Sequence, residues 1–265
     1  MTPVSDVAST ISVIIPTCDR PSEFLNSAIA SALAQSLSPL EILIIDNGIS
    51  KVHEEDLASG VELYRLKPHV GVSRARNFGA AMARGDYVAF LDDDDWWDEG
   101  FLKEAWRVAV EGDYRCVYGR KDRWRDGRLS RYKMAAQETV NVPCLLRGNP
   151  GIGGQNLLIE KALFFSIGGF DERLFIAEDR ALALEILLSG ERIGVARDAV
   201  AILRHHDGDR LRNFKFRKIN FIWKYRHHMT KAWFARSVLS FAKSGIRHVI
   251  RRILVKYQLP RSHVS

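Results

Sequence analysis

The sequence predicts an α/β fold with a Rossmann-like, mostly parallel sheet flanked by helices, followed by a basic α-helical C-terminal extension. Short runs of β-branched and other apolar residues recur along the first third of the chain, and stretches with helical spacing separate them. Apolar strands that alternate with helices are typical of a parallel, doubly wound sheet, because its strands are buried on both faces. The extension is predicted from charge, since residues 211–265 contain 14 Lys or Arg and no Asp or Glu.

Each element of the sheet follows from a local pattern of apolar and turn-forming residues. In the first half of the chain, the predicted strands are Ile11–Pro16, Glu41–Asp46, Val61–Leu66 and Tyr87–Leu91. The predicted helices are Pro21–Leu37 and Ser73–Arg84. The second half is less regular. It predicts a strand at Cys116–Gly119, a hairpin over Arg120–Lys133 turning at Asp126-Gly127, a loop at Asn149–Asn156, a strand at Leu157–Ile159 and a helix at Arg180–Leu188.

The carboxyl ends of three predicted strands carry polar residues. Pro16-Thr17, Asp46-Asn47 and Asp92–Asp95 come immediately after the first, second and fourth strands. In open α/β sheets, ligands bind in the crevice outside the carboxyl ends of the strands. We therefore expect these three segments to line one crevice.

Asp92–Asp95 form a run of four carboxylates between a buried-type strand and two tryptophans, Trp96 and Trp97. Carboxylates this close repel one another and are costly to desolvate, so packing alone does not select such a run. A divalent cation would relieve the repulsion, and Mg²⁺ or Mn²⁺ suits oxygen ligands while keeping positions open for substrate phosphates. The other interpretation is a solvated acidic turn, which would not require the flanking strand and tryptophans.

The composition excludes several classes of protein. Hydrophobic residues make up 46% of the chain and charged residues 27%, which is typical of a soluble globular protein. The three cysteines, Cys18, Cys116 and Cys144, fit neither a disulfide framework nor a zinc site, and they favour a reducing cytoplasm. The start, Met1–Thr10, lacks the apolar core of a signal peptide. No run approaches the ~18 apolar residues of a membrane-spanning helix.

Taken in order, six segments resemble an inverting family 2 glycosyltransferase with the GT-A fold, of the kind that builds bacterial cell-surface polysaccharides. Four carry most of the resemblance: Val13-Ile14-Ile15-Pro16-Thr17, Ile44-Ile45-Asp46-Asn47-Gly48, Ala75-Arg76-Asn77-Phe78-Gly79 and Phe90-Leu91-Asp92-Asp93-Asp94-Asp95. Gly168-Gly169-Phe170-Asp171 and Glu178-Asp179 follow at the expected separation. Each motif alone is weak, but the ordered set, which covers roughly Ser12–Arg204, is specific.

The resemblance implies a role for each site residue. Pro16 and Thr17 would line the nucleotide pocket, Asp46 would bond the base of a nucleotide-sugar donor, and Arg76 would lie near the nucleotide end. Asp92 and Asp94 would form the acidic motif that binds Mg²⁺ or Mn²⁺, with Asp94 the direct ligand and Asp93 or Asp95 able to share its work. Asp179 would be the catalytic base, and His206 would reach back to the metal. Two residues depart from the family pattern and leave the base open: Cys18 replaces a frequent aromatic ring, and Asn47 a frequent aspartate.

Structural interpretations compete with three of these roles. Asp179 could be a helix N-terminal charge that interacts with the helix dipole, which is worth about 0.5 kcal/mol. Asp46 could form an Asx turn. His206, beside His205, could be a solvated surface histidine.

Two other functions also compete with glycosyl transfer. A nucleotidyltransferase acting on sugar phosphates would need a phosphate-gripping loop after the first strand, but Pro16-Thr17-Cys18-Asp19-Arg20 has no glycine. A non-catalytic, membrane-associated binding protein with a degenerate site is disfavoured because Asp46, Asp92, Asp94 and Asp179 occur together.

The charge distribution predicts a division into residues 1–210, a GT-A domain, and 211–265, a basic amphipathic helical extension. Without the extension the chain has 39 − 14 = 25 basic and 32 acidic residues, a net charge of −7. Apolar residues at helical spacing over Ala232–Lys256 are opposed by Arg236, Lys243, Arg247 and Arg251. This pattern favours an anionic membrane surface, with packing on the acidic body as the alternative and no motif for nucleic acid. We therefore expect a peripheral protein on the inner face of the cell membrane that acts on a glycan or lipid-linked acceptor.

Overall fold

The computed structural model describes residues 10–132, 140–205 and 218–235 of the chain. The chain divides into two compact units. The larger comprises Met1–Glu172 and Glu178–His206, and the smaller comprises Arg173–Ala177 and Asp207–Ser265. The predicted boundary at residue 210 stays a prediction.

The first half of the larger unit is a parallel sheet with helical connections. Its elements are β1 (Ile11–Thr17), α1 (Ser22–Leu33), β2 (Glu41–Asp46), β3 (Val61–Arg65), α2 (Val72–Met82) and β4 (Tyr87–Phe90). The strands lie in the order β3-β2-β1-β4, and every neighbouring pair is parallel. All residues of β1 and β2 are buried, which explains why these strands read as continuous apolar runs. The predicted α/β class with parallel strands is confirmed here.

The second half extends the same sheet with mixed strand directions. Its elements are β5 (Trp96–Trp97), α3 (Phe101–Gly112), β6 (Cys116–Arg125), β7 (Arg128–Arg131), α4 (Val142–Arg147), β8 (Leu157–Glu160), α5 (Lys161–Ser166), α6 (Glu178–Leu188) and β9 (Ile193–Arg204). The full order is β3-β2-β1-β4-β8-β6-β9-β5, with β7 paired to β6. β8 is antiparallel to both β4 and β6, whereas β6 and β9 are parallel. The sequence patterns did not predict α3, α4, α5, β5 or β9.

The predicted hairpin is present, and its strand is longer than expected. Arg125 pairs with Arg128 across a two-residue turn in which Asp126 and Gly127 have φ angles of 49° and 76°. Positive φ at both positions is the requirement of a type I′ turn, which Asp-Gly satisfies. The predicted strand Cys116–Gly119 continues to Arg125, so residues 120–125 are part of the sheet.

A glycine lets α2 approach the sheet closely enough to deliver a side chain to the carboxyl ends of the strands. A Cβ on Gly79 would lie 2.5 Å from Ile14 Cγ2 and 3.0 Å from Ile45 Cγ1. Arg76 lies one turn before Gly79 on the same buried face of the helix. Because α2 follows β3, its first turns lie beyond the carboxyl edge of the sheet, where Arg76 can meet the loops.

In the smaller unit, α7 (Lys218–Lys224) precedes a 3₁₀ turn at Arg226–His228. The rings of Phe221 and Tyr225 are 4.9 Å apart, and both residues are buried. Residues 231–235 are helical, and the remainder of the helix predicted over Ala232–Lys256 lies outside the described residues. Within the described ranges, no helix combines the length and apolar character needed to cross a bilayer.

Candidate active site

The acidic run after β4 separates into a cluster of three carboxylates and one side chain that points elsewhere. Asp92, Asp94 and Asp95 each have a carboxylate oxygen within 4.8 Å of the others, a grouping that could hold a metal ion. Asp93 accepts hydrogen bonds from Thr17 Oγ1 at 2.7 Å and from Arg20 Nε at 3.2 Å. Burial raises the pKa of Asp93 to about 6. The predicted pair Asp92 and Asp94 is therefore together, Asp95 joins it, and Asp93 does not.

Asp95 is fixed by two elements that are remote in sequence. Its Oδ1 accepts from the backbone N–H of Arg204 at 2.9 Å, and its Oδ2 accepts from Gln155 Nε2 at 3.3 Å. The residue is 4% exposed, so its carboxylate is held by the end of β9 and by the loop before β8. These contacts leave Asp92 and Asp94, which are 27% and 18% exposed, as the accessible members of the cluster.

Arg76 connects the acidic cluster to the start of α6. Its Nη2 donates to Asp92 Oδ1 at 2.6 Å, while Nη1 lies 3.2 Å from Asp179 Oδ1 and 3.6 Å from Glu178 Oε1. The side chain is 3% exposed and its guanidinium lies 5.0 Å from the centre of the Phe170 ring. Although burial opposes its charge, the carboxylates raise the pKa of Arg76 above the usual arginine value. The structure thus places Arg76 between Asp92 and Asp179.

Asp179 lies in the first turn of α6, beside Glu178. Its side chain stays 21% exposed. Burial raises the pKa of Asp179, whereas the charge of Arg76 and the backbone N–H of Gly154 lower it. Burial and the charge of Asp179 raise the pKa of Glu178 to about 7. Asp179 is therefore a partly exposed carboxylate with a guanidinium beside it that favours ionisation.

Two buried polar residues of β6 face the same carboxylate, and sequence patterns identified neither. Lys121 is 7% exposed, and its Nζ donates to the carbonyl oxygen of Ile152 at 3.0 Å. Burial lowers the pKa of Lys121, while the charge of Asp179 raises it. The Tyr118 hydroxyl is buried with no hydrogen-bond partner among the described residues. Because the hairpin segment is rich in Arg and Asp, no local signal marks Lys121 as buried.

The ends of β1 and β2 carry the residues predicted to bind the nucleotide. Thr17 pairs with Asp46 across the two strands, and its hydroxyl donates to Asp93, which joins this edge to the acidic run. Asp46 accepts from the backbone N–H groups of Gly48 at 2.9 Å and Val52 at 3.1 Å. The bond from Gly48 is that of the Asx-turn interpretation, and each carboxylate oxygen keeps a second lone pair for a ligand. The strand ends therefore converge as predicted.

His206, the third predicted metal ligand, lies outside the described residues. The residue before it, His205, donates its backbone N–H to the carbonyl oxygen of Trp124 at 2.8 Å. The role of His206 remains a prediction.

Residues 12–166 match the family model described as glycosyl transferase family 2. The succinoglycan biosynthesis protein ExoW of Rhizobium meliloti is 31% identical over 116 residues, which is 41% of this chain and 36% of that protein. The chain spans less than two thirds of the length of the first curated relatives it matches, at 62% and 46%.

Two solved structures share the fold. Residues 1–349 of TarS from S. aureus, in complex with UDP, match with a TM-score of 0.65 and 18% identity, covering 88% of this chain and 70% of that chain. GalNAc-T7 with UDP, GalNAc and Mn²⁺ matches with a TM-score of 0.61 and 19% identity, covering 76% of this chain and 45% of that chain. The likeness confirms the predicted GT-A fold class.

Proposed function

The chain belongs to glycosyl transferase family 2, and on that basis we propose that it transfers a sugar from a nucleotide-sugar donor to a hydroxyl of a glycan or lipid-linked acceptor, with inversion. One observation carries the proposal. Arg76 bonds Asp92 at 2.6 Å and Asp179 at 3.2 Å, so the acidic cluster and the carboxylate proposed as the base belong to one site. A donor held at the cluster would present its reacting carbon near Asp179.

The donor side is proposed to use the ends of β1 and β2. Pro16, Thr17 and Asp46 lie at the carboxyl edge of the parallel strands, where ligands of such sheets bind. Asp46 is 4% exposed and its carboxylate is oriented by two backbone N–H groups, which suits a fixed acceptor for the N–H of a base. Both similar structures contain UDP, so a UDP-sugar is the first donor to test.

The cofactor is proposed to be Mg²⁺ or Mn²⁺, held by Asp92 and Asp94. The donor set fits, because these ions prefer carboxylate oxygens and retain water and phosphate in their remaining positions. The carboxylate oxygens of Asp92 and Asp94 lie within 4.8 Å of each other, a grouping that could hold one ion. When bound, the ion would neutralise charge on the departing diphosphate. GalNAc-T7, which shares the fold, was solved with Mn²⁺.

Asp179 is proposed to accept the proton of the attacking hydroxyl. Its side chain is 21% exposed, so an acceptor could reach it, and the bond from Arg76 orients its carboxylate. The hydroxyl oxygen would attack the anomeric carbon as its proton moves to Asp179, and the bond to the nucleoside diphosphate would break on the opposite face. A single displacement of this kind inverts the anomeric configuration.

The basic extension is proposed to hold the protein on an anionic membrane surface. Residues 211–265 carry 14 cations and no anion, and basic residues near such a surface each contribute about 1 kcal/mol. Trp223 of α7 is exposed, and the guanidinium carbon of Arg226 lies 4.4 Å from the centre of its ring. This mixture of aromatic and basic groups suits a lipid interface. A lipid-linked acceptor would be reached from that position.

The test is a turnover assay of the full chain with a panel of UDP-sugars, in Mn²⁺ and in EDTA. Lipid-linked and oligosaccharide acceptors are supplied, and the product anomer is read by NMR. We expect release of UDP that requires Mn²⁺ and a product of inverted configuration. Equal turnover in EDTA would rule out a metal requirement, and retention of configuration would rule out a single displacement. In a parallel reaction with UTP and a sugar 1-phosphate, release of pyrophosphate would indicate nucleotidyl transfer instead.

A further inference from the structure

Lys121 is a buried charged residue that the proposed reaction does not yet use. It is 7% exposed, and its Nζ donates to the Ile152 carbonyl oxygen at 3.0 Å. Among the described residues, no carboxylate oxygen lies within the 4.0 Å limit of an ion pair with this nitrogen. A buried ammonium is costly to keep unless the surrounding charges compensate it. The carboxylates that favour its charge are Asp179, then Asp92 and Asp95.

The loop to which Lys121 donates its hydrogen bond, residues 149–154, is a compact turn. Asn149 Oδ1 accepts from the backbone N–H groups of Gly151 at 2.9 Å and Ile152 at 2.7 Å. Its Nδ2 donates to the Ile152 carbonyl oxygen at 2.7 Å, the same oxygen that Lys121 contacts. Two donors therefore hold this one carbonyl in place, one from within the loop and one from β6.

The same turn touches the proposed base. The backbone N–H of Gly154 interacts with the carboxylate of Asp179 and lowers its pKa. The backbone of the turn passes close to both cations of the site: a Cβ on Gly153 would lie 2.7 Å from Lys121 Nζ, and a Cβ on Gly154 would lie 2.4 Å from Arg76 Cζ. The two glycines are thus packed between the two buried cations of the site. A change at Lys121 would therefore reach Asp179 through the Ile152–Gly154 turn and through Arg76, whose Nη1 lies 3.2 Å from Asp179 Oδ1.

We propose that Lys121 is a positioning residue for Asp179, acting through the Ile152–Gly154 turn and through its positive charge. The inference rests on the proposed function, in which Asp179 is the base. In this proposal Lys121 is an additional residue of the site, which holds the base in place without contacting the reacting atoms.

Five groups on four elements face Asp179 and set its charge. Arg76 of α2 and Lys121 of β6 are cations, Asp92 after β4 and Glu178 of α6 are carboxylates, and Tyr118 of β6 offers a neutral hydroxyl. Removing the charge of Lys121 leaves Arg76 as the one compensating cation among these groups. The ionised form of Asp179 then becomes less favourable, so the acid limb of the rate profile should move to higher pH.

The experiment compares Lys121→Met, Lys121→Gln and Lys161→Met in the full-length protein. Lys161 is the matched control, because its Nζ donates to the Ala83 carbonyl oxygen at 2.8 Å and it lies outside the site. We expect Lys121→Met to lower turnover by roughly 10²-fold, the cost of a misplaced group, with UDP affinity unchanged. Lys121→Gln keeps a donor for Ile152 and should recover part of the rate. Lys161→Met should match the wild type.

A double-mutant cycle with Asp179→Asn decides whether Lys121 acts through the base. If it does, Lys121→Met should cost nothing further once Asp179 has been replaced, because the base it positions is gone. Rates that fall by the product of the two single effects would overturn the inference, as would wild-type turnover in Lys121→Met or a parallel loss of UDP affinity. Circular dichroism checks the fold, and Lys121→Gln enters the cycle if the Met variant does not fold. Absence of transfer by the wild-type chain would instead refute the proposed function.

Discussion

Replacing Arg76 by Met tests the network that joins the two halves of the site. Arg76 is 3% exposed and reaches Asp92, Asp179 and Glu178 at 2.6, 3.2 and 3.6 Å. Removing one partner of a buried ion pair leaves uncompensated charge and costs about 3–5 kcal/mol. We expect the free energy of unfolding to fall by that amount, which lowers Tm by roughly 6–20 °C for a chain of this size.

The loss of stability should depend on pH, with a sign that follows from the pKa shifts. Arg76 lowers the pKa of both Asp179 and Glu178, and the pKa of Glu178 is about 7. Without the guanidinium these pKa values rise, so the folded variant binds protons that the folded wild type releases. Protonation relieves the repulsion at low pH. The stability gap between wild type and variant should therefore be smaller at about pH 5 and wider at about pH 8.

The assay is urea denaturation followed by circular dichroism, in EDTA, at both pH values. Arg74→Met is the control, because Arg74 lies on the same helix, is 58% exposed and bonds Glu172 at 2.7 Å. A surface pair of that kind should contribute about 1 kcal/mol or less. Two results would contradict the inference that Arg76 stabilises the site through its buried ion pairs. One is a loss of unfolding free energy in Arg76→Met no larger than in Arg74→Met. The other is a difference in stability between wild type and Arg76→Met that does not change with pH.

Four further outcomes follow from the same geometry. Asp94→Ala should abolish Mn²⁺-dependent UDP binding and leave Tm unchanged. Wild-type UDP binding of equal strength in EDTA would contradict this metal role. Asp179→Asn should lower turnover by ~10²–10⁴-fold while the donor KM stays constant. Gly79→Ala should cost ~1–3 kcal/mol in urea denaturation because α2 packs on β1, whereas Gly148→Ala, whose Cβ meets nothing within 4 Å, should cost less. Replacing four basic residues of the extension by Gln should weaken binding to anionic liposomes about 10³-fold, at ~1 kcal/mol for each cation. The four are Arg236, Lys243, Arg247 and Arg251. Unchanged co-sedimentation with the liposomes would refute the membrane proposal.

The liposome variant neutralises charge and keeps the chain whole for a structural reason. The extension includes α7, where Phe221 and Tyr225 are 1% and 2% exposed. Deleting it would remove buried rings together with the cations, so lost binding could then reflect lost folding.

Much of the parallel half of the fold could be predicted from the sequence, because burial on both faces leaves a local record. β1 and β2 are buried at every position, so they contain the apolar runs Val13–Pro16 and Ile42–Ile45, which end just before Thr17 and Asp46. The end of α1 could not be predicted in this way. The helix was expected to reach Leu37 but ends at Leu33, and Gln35 beyond it bonds the Asp98 carbonyl and the Leu102 amide. Those partners are more than sixty residues away.

The sequence by itself determined the family motifs, the acidic run after β4 and the carboxylate at the start of α6, because each is a short pattern of neighbouring residues. Only the tertiary structure decided that Asp95 joins the cluster and Asp93 does not. It also decided that Arg76 bridges residues 16 and 103 positions away and that Lys121 is buried. The physical reason is that apolar periodicity reports which face of an element is buried. The pairing of charges depends instead on distances between elements that meet only when the sheet is assembled.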